Sequence, residues 1–201
     1  MEFEDYKFRK PAILMLIYVA SGIYGWCYEF IFYFFNGGMK EFYMQGGNFL
    51  PWINIYAFGA FLLLFLAKPL KKYPWAVILI IAVVSGVFEY LSGWLIYKIG
   101  NGLRFWDYNK EILNFGNING FVCLRSVLVF VFAGILLIYA ALPLLDLISK
   151  KIDRKVFVTV SVLLFVLFFT DDVYNFFAQH VFEWPNAIMF YESMGLKYMS
   201  Y

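Results

Sequence analysis

Histidine, cysteine and charge are scarce in this chain of 201 residues. It has one histidine and two cysteines, and 15% of its residues are charged. Cys27 and Cys123 belong to no Cys-x-x-Cys motif and His180 stands alone, so the sequence offers no zinc site and no metal is expected. We expect the cysteines to pack rather than to pair. The basic residues come in short clusters, which argues against nucleic acid as a partner.

Apolar residues dominate instead, at 63% of the chain, which is well above the share in soluble domains. A helix needs about 20 apolar residues to cross a bilayer core, and five segments approach that length. They are residues 11–35, 51–67, 75–99, 121–148 and 156–179. Because the segments lack a period of two, they favour helices over a barrel. The sequence therefore predicts an all-α membrane protein, with residues 1–201 forming a single transmembrane domain of five helices.

Lysine and arginine indicate how the bundle is oriented. When five spans alternate, ten basic residues fall on one side of the membrane, and the positive-inside rule makes that side cytoplasmic. We expect the N-terminus in the cytoplasm and the C-terminus outside, in a cell membrane. Segment 100–120 then becomes a structured outer loop, and the aromatic segment 181–201 lies at the interface. The ten basic residues are Lys7, Arg9, Lys10, Lys68, Lys71, Lys72, Lys150, Lys151, Arg154 and Lys155.

Ionisable residues inside predicted spans are costly, so they indicate a functional site. Glu29 lies in the first span and Glu89 in the third, each in the predicted outer half. Arg125 enters the fourth span from the same side, and Arg104 lies in the outer loop. Because the planar guanidinium suits a carboxylate, we predict that at least one of these arginines pairs with Glu29 or Glu89.

Two acids in the fifth span, Asp171 and Asp172, stand nearer its end. We expect them to reach towards water rather than to form a site. A polar layer that only holds helices together is the structural alternative for all of these acids.

Two parts of the sequence look alike. Ser21-Gly22 and Ser85-Gly86 each open a span that carries a glutamate and a tryptophan and ends in Asn-Gly. A glycine- and aromatic-rich segment and another span follow in both cases. This pattern is typical of a parallel internal repeat.

Several strings of residues resemble a known family. They are Gly25-Trp-Cys-Tyr-Glu29, Glu89-Tyr-Leu-Ser-Gly-Trp94, Arg104-Phe-Trp-Asp-Tyr108 and Asn117-Ile-Asn-Gly-Phe-Val-Cys-Leu124. The chain is similar over about residues 15–145 to the bacterial CmpB-like permeases described as "putative ABC-transporter type IV". It departs from the family at Tyr97, where a second glutamate is common.

The resemblance implies a permease-like transport component, to which we assign an outward-facing polar pocket. No Gly-x-x-x-x-Gly-Lys-Ser/Thr loop is present, so a separate ATPase or another membrane subunit would supply the energy. Membrane lipid is the other expected partner, and a homo-oligomer stays open. The candidate substrate-binding residues are Glu29, Glu89, Arg104, Trp106, Asp107, Asn117 and Arg125.

Two other functions stay open. One is an intramembrane enzyme acting on a lipid or lipid-linked substrate, which ranks lower because no nucleophile–base pair is evident in the sequence. The other is a structural or assembly subunit of a membrane complex. We assign no catalytic residue and no cofactor.

Overall fold

The computed structural model describes residues 3–39 and 43–198 of the chain. Residues 1–2, 40–42 and 199–201 of the predicted domain lie outside the described residues, as does the side chain of Lys7. The helices are α1 Phe3–Asn36, α2 Asn54–Leu66, α3 Pro74–Ile99, α4 Leu124–Leu136, α5 Leu142–Lys151, α6 Arg154–His180 and α7 Ala187–Ser193. A two-residue strand β1, Tyr43–Met44, pairs in parallel with β2, Lys197–Tyr198.

Four helical segments are long and apolar enough to cross a membrane, so the prediction of a multi-pass helical membrane protein is confirmed. They are Phe8–Asn36, Pro74–Ile99, Leu124–Lys151 and Arg154–His180. Their outward faces carry large apolar side chains such as Leu79 and Val87, which are more than half exposed. Such faces suit contact with lipid.

The second predicted span is shorter than the sequence suggested. Within residues 51–67 only the 13 residues of α2 are helical, and they extend about 20 Å along the axis. The residues before α2 bond to α1 instead: Trp52 Nε1 donates to the Tyr18 carbonyl at 3.3 Å, and Ile53 N donates to the Gly22 carbonyl at 3.1 Å. The count of five spans and the orientation of the termini stay predictions.

Local chemistry explains where the long helices begin and end. α3 begins at Pro74, where the missing N–H costs nothing. Asp153 caps α6 by accepting from the backbone of Lys155 at 2.9 Å. Between α4 and α5 the chain widens into a π-helical turn, Leu137–Ala141, directly before Pro143. Because proline cannot donate the next helical hydrogen bond, a widened turn is expected there.

The chain forms two compact units. Unit 1 comprises the described residues of 1–61 and 141–199, and its core gathers Tyr18, Trp52, Ala57 and Phe168. Trp52 is buried against α1 because Gly22 has no side chain: a Cβ there would lie 1.8 Å from Trp52 Nε1. A larger residue at this position would displace the indole.

Unit 2 comprises the described residues of 62–140. Its apolar core gathers Leu63, Val77, Ile81 and Ile138. Helix α4 lies close to α3 at Gly134, where a Cβ would meet Ile81 Cδ1 at 2.6 Å. Residues 100–123, called the 100–123 loop below, connect these two helices and carry all the asparagines of this unit.

Candidate functional site

The 100–123 loop folds on itself around a tight turn at Gly120. This residue has φ +77°, and a Cβ there would lie 2.5 Å from Asp107 Oδ1 and 2.6 Å from Arg104 Nη1. Its carbonyl accepts from Tyr108 N at 3.1 Å, and its N–H donates to Asn117 Oδ1 at 2.8 Å. Glycine is therefore needed both for the left-handed backbone and for the space.

Buried Asp107 organises the first half of this loop. Its Oδ1 accepts from the backbone and the side chain of Asn109, at 3.1 and 2.8 Å. Asn117 in turn donates to Asn109 Oδ1 at 2.8 Å. These bonds tie the two halves of the loop together and fix the residue between Asp107 and Asn109, which is Tyr108.

The loop places two side chains against α3 and α4. The Tyr108 hydroxyl donates to Glu89 of α3 in a short hydrogen bond. Glu111 Oε2 lies 2.5 Å from Arg125 Nη2 of α4, and the Arg125 guanidinium lies 5.2 Å from the Tyr108 ring centroid. Ser126 Oγ donates to the second oxygen of Glu89 at 2.6 Å. We call these five residues, Glu89, Tyr108, Glu111, Arg125 and Ser126, the Glu89 cluster.

All five members of the Glu89 cluster are buried, with exposed fractions of 4–9%. Burial raises the pKa of the Tyr108 hydroxyl well above its usual value, and the neighbouring Glu89 carboxylate raises it further. Tyr108 therefore keeps its proton and stays a donor to Glu89. Two carboxylates, one guanidinium and two hydroxyls meet in a small, dry volume.

We predicted that at least one arginine pairs with Glu29 or Glu89; at Glu89 the described residues show hydroxyl donors instead, and pairing at Glu29 stays a prediction. Glu89 accepts from two hydroxyls, and Arg125 forms its ion pair with Glu111. The 100–123 loop brings Glu111 to Arg125 at the start of α4. One oxygen of Glu89 is already occupied by Ser126 Oγ. Arg104 also finds another acid, Asp107, at 3.5 Å.

The other predicted site residues of the loop hold its shape. The Arg104 guanidinium lies 4.9 Å from the ring centroid of Tyr97 and 4.6 Å from that of Phe121, and it donates to the Asn119 carbonyl at 3.0 Å. Trp106 Nε1 donates to the Phe121 carbonyl at 2.9 Å. Their part in substrate binding stays a prediction, as does that of Asp107 and Asn117.

Sequence reasoning missed Tyr108, Glu111 and Ser126 as site residues. Tyr108 stood in the Trp-Asp-Tyr string, and Ser126 lies three residues after Cys123, where its Oγ accepts from the Cys123 N–H at 3.3 Å and so caps α4. That capping pattern could have identified Ser126 as the residue at the helix start. Nothing in the sequence singled out Glu111.

In unit 1, Asp171 of α6 is partly exposed and accepts several hydrogen bonds. Its carboxylate accepts from the backbone N–H groups of Phe49 and Leu50, at 3.1 and 2.8 Å, and from Asn175 Nδ2 at 2.8 Å. One and two turns along α6, Asn175 Oδ1 accepts from Ala187 N at 2.8 Å and Gln179 Nε2 donates to the Gly47 carbonyl at 2.6 Å. This polar stripe holds the α1–α2 loop and the start of α7 against α6. Backbone donors fixed by the fold thus satisfy the acid. Whether it also reaches towards water stays a prediction.

Asp172, its neighbour, accepts from Asn54 Nδ2 at 3.0 Å. Glu29 of α1 accepts from the Tyr56 hydroxyl of α2, also at 3.0 Å. Glu29 thus belongs to unit 1, whereas the other six candidate site residues belong to unit 2.

Neither a cluster of metal-ligating side chains nor a disulfide occurs among the described residues. No group of three or more His, Cys, Asp or Glu side chains there could hold a metal ion. Cys27 and Cys123 are free thiols, the first exposed and the second buried.

The four long apolar helices define a multi-pass helical membrane protein. The family described as "putative ABC-transporter type IV" matches residues 16–176, and the chain belongs to this family. No curated protein and no solved structure matches it.

Proposed function

We propose that this protein is a permease-like transport component of the cell membrane and that its substrate site is the Glu89 cluster. The observation that carries this proposal is a buried group of opposite charges. Helices α3 and α4 supply Glu89, Arg125 and Ser126, and one loop supplies Tyr108 and Glu111. Family membership and the four apolar helices agree with a role in membrane transport.

The division of the cluster between helices and loop suggests how a substrate would enter. While the 100–123 loop is folded as in this structure, the Tyr108 hydroxyl donates to Glu89 and Arg125 donates to Glu111. A substrate with a cationic group could replace the Tyr108 hydroxyl at Glu89, and an anionic oxygen could replace Glu111 at Arg125. A small zwitterion, a cation or a lipid headgroup has the required chemistry.

Arg104, Trp106, Asp107 and Asn117 would then act through the loop rather than on the substrate. These four side chains form the hydrogen bonds that define the shape of the loop. Replacing them should therefore make the loop less ordered over the Glu89 cluster. The loop would face the outside of the cell in a five-span arrangement with a cytoplasmic N-terminus. A separate ATPase, or another membrane subunit, would drive transport, since the chain has no phosphate-binding Gly-x-x-x-x-Gly-Lys string.

A structural subunit is the second candidate. It is favoured by the internal pairing of the Glu89 cluster, because each of its carboxylates has a hydrogen-bond donor in the protein itself. A cluster that only joins α3 to α4 would need nothing more.

Thermal unfolding of purified protein in detergent separates the two functions. The probes are choline, glycine betaine and a neutral amino acid, each tested on wild type, on Glu89→Gln and on the control Asp146→Asn, whose carboxylate is 46% exposed in unit 1. We expect one probe to stabilise wild type and the control, by about 2.7 kcal/mol at 100 times its Kd, and Glu89→Gln far less.

Two results would go against the proposed site. If a probe stabilises Glu89→Gln as much as wild type, Glu89 does not bind it. If none of the probes acts on wild type while Glu89→Gln lowers its stability, the cluster is structural.

A further inference from the structure

The 100–123 loop buries most of its charges and exposes its apolar side chains. The sequence gives this loop four charged residues. Asp107 and Glu111 are buried and Arg104 is partly buried, so Lys110 is the one charged side chain of the loop that is largely exposed, at 69%. An apolar surface of this kind on a loop indicates a contact with something other than water. Six large apolar residues of the loop are 43–61% exposed: Leu103, Phe105, Ile112, Leu113, Phe115 and Ile118.

On one flank, the loop joins an apolar stripe of α4. Leu124, Leu128 and Phe132 are spaced i, i+4, i+8, so they share one side of the helix, and each is about half exposed. Leu124 N donates to the Phe115 carbonyl at 3.0 Å, and a Cβ on Gly116 would lie 3.3 Å from Leu124 Cβ. The loop backbone at Phe115 therefore lies directly against the end of this stripe.

On the other flank, the loop joins a similar stripe of α3. Leu91, Leu95 and Ile99 are again spaced i, i+4, i+8, and each is about half exposed or more. Leu103 N donates to the Gly100 carbonyl at 3.1 Å, and a Cβ on Gly100 would lie 2.8 Å from Leu103 Cβ. Leu103 therefore packs against the end of α3. Both apolar stripes belong to helices that are long and apolar enough to cross a membrane, so their exposed sides suit lipid.

The backbone of the loop suits a position with little water. Unpaired N–H and C=O groups are unfavourable there, so a segment at this level must pair its own. Ile118 N donates to the Val122 carbonyl at 2.9 Å, and Phe121 N donates to the Ile118 carbonyl at 3.0 Å. Asn117 N donates to the Asn114 carbonyl at 3.1 Å. These turns satisfy part of the loop backbone without a helix or a sheet.

Helix length places the start of the loop at the membrane boundary. α3 has 26 residues, which extend about 39 Å along the axis. The hydrocarbon core is about 30 Å thick, and the bilayer with its headgroups is about 40–45 Å thick. When α3 crosses the bilayer, its ends therefore lie in the headgroup layer, and the loop begins there rather than in bulk water.

We propose that the exposed apolar residues of the 100–123 loop insert into the surface of the bilayer that surrounds α3 and α4. The lipid is the occupant because the loop joins the lipid-facing stripes of both helices. Leu103 and Phe115 reach the boundary between headgroups and acyl chains, about 5–10 Å deep, as interfacial helices do with their apolar faces. Lys110 extends to the lipid phosphates and the water. This proposal does not depend on what the Glu89 cluster binds.

The test measures how often site-directed nitroxide labels collide with oxygen, which concentrates in lipid, and with a water-soluble nickel chelate. The full chain is reconstituted in phosphatidylcholine vesicles with the background substitution Cys27→Ser, which removes the exposed thiol. Labels are attached singly at Leu103→Cys and Phe115→Cys. The lipid reference is Leu128→Cys on the exposed side of α4, and the matched control is Lys110→Cys in the same loop.

We expect the ratio of oxygen to nickel collisions at Leu103→Cys and Phe115→Cys to be close to that at Leu128→Cys. It should be several-fold higher than the ratio at Lys110→Cys. The buried thiol of Cys123 reports on folding, because it stays unlabelled as long as the chain is folded. Ile118→Cys, on the same flank as Phe115, replaces any loop variant in which Cys123 takes up label.

A ratio at either loop position as low as that at Lys110→Cys would mean that the position lies in water, and it would overturn the proposal. Low collision rates with both reagents would mean that a second copy of the chain covers this surface. That result would also overturn the proposal, because the occupant would then be protein and not lipid.

Discussion

The two units of this protein supply the hydrogen-bond donors of an acid in different ways. In unit 1 the Asp171 carboxylate accepts from the backbone N–H groups of Phe49 and Leu50. In unit 2 the Glu89 carboxylate accepts from two side-chain hydroxyls, those of Tyr108 and Ser126. Backbone donors cannot leave without unfolding their segment, whereas side chains can turn away or be replaced.

This difference separates a structural acid from a candidate site. The Asp171 contact fixes the α1–α2 loop on α6, together with Gln179 and the Gly47 carbonyl. The Glu89 contact depends on the 100–123 loop, which also carries the counter-ion partner of Arg125, Glu111. Opening that loop would expose a carboxylate and a guanidinium together, which is what a binding site for a charged molecule requires.

Removing Arg125 should have the largest effect. Arg125→Ala removes the guanidinium paired with the Glu111 carboxylate, whose side chain is 3% exposed, and should cost about 3–5 kcal/mol of unfolding free energy. The double variant Arg125→Ala with Glu111→Gln should recover part of this loss. The measurement is denaturant unfolding in detergent. A loss of under about 1 kcal/mol for Arg125→Ala would mean that this pair is not buried as described.

Asp171→Ala should come next, at about 2 kcal/mol, because it leaves the part-buried N–H group of Leu50 and the more exposed one of Phe49 without their acceptor. The matched control is Asp146→Ala, which removes a half-exposed acid paired with Lys150 four residues along the helix. The control should change stability by about 0.5 kcal/mol or less. Equal losses for the two variants would contradict the account of Asp171 as the acceptor that holds the loop.

The smallest effect concerns the proton of Tyr108. Burial raises its folded pKa above the unfolded value of about 10, so the native state binds the proton more tightly. This contribution to stability is fully present below about pH 10 and is lost as the pH rises towards the folded pKa, by about 1.4 kcal/mol per unit. The measurement is the stability of wild type minus that of Tyr108→Phe between pH 8 and 11. A difference that stays constant with pH would show that Tyr108 is not buried against Glu89.

The sequence was sufficient for the four long spans, because long apolar runs must be helices in lipid whatever they pack against. It also identified Glu89, Arg104, Asp107 and Arg125 as candidate site residues. It could not assign their partners. The Arg125–Glu111 contact depends on a turn whose shape is set by Gly120 and its left-handed backbone. A hydropathy pattern does not predict the geometry of such a turn.

Long-range contacts set the other limit. The partner of Asp171, the N–H of Leu50, lies 121 residues away along the chain, and no local pattern connects the two. The helix in the second predicted span is shorter than predicted for a similar reason. The hydrogen bonds from Trp52 and Ile53 to α1 keep the first residues of that segment out of the helix.

Hydrogen exchange on wild type and Glu89→Gln, measured side by side, tests most directly whether the two acids differ as described. Removing the Glu89 charge weakens the anchor of Tyr108, so the amides of Tyr108, Ile118 and Gly120 should exchange about tenfold faster. The amides of Phe49 and Leu50, bound to Asp171, should keep their wild-type rates. Unchanged exchange in the 100–123 loop, or equal acceleration in both segments, would contradict the account.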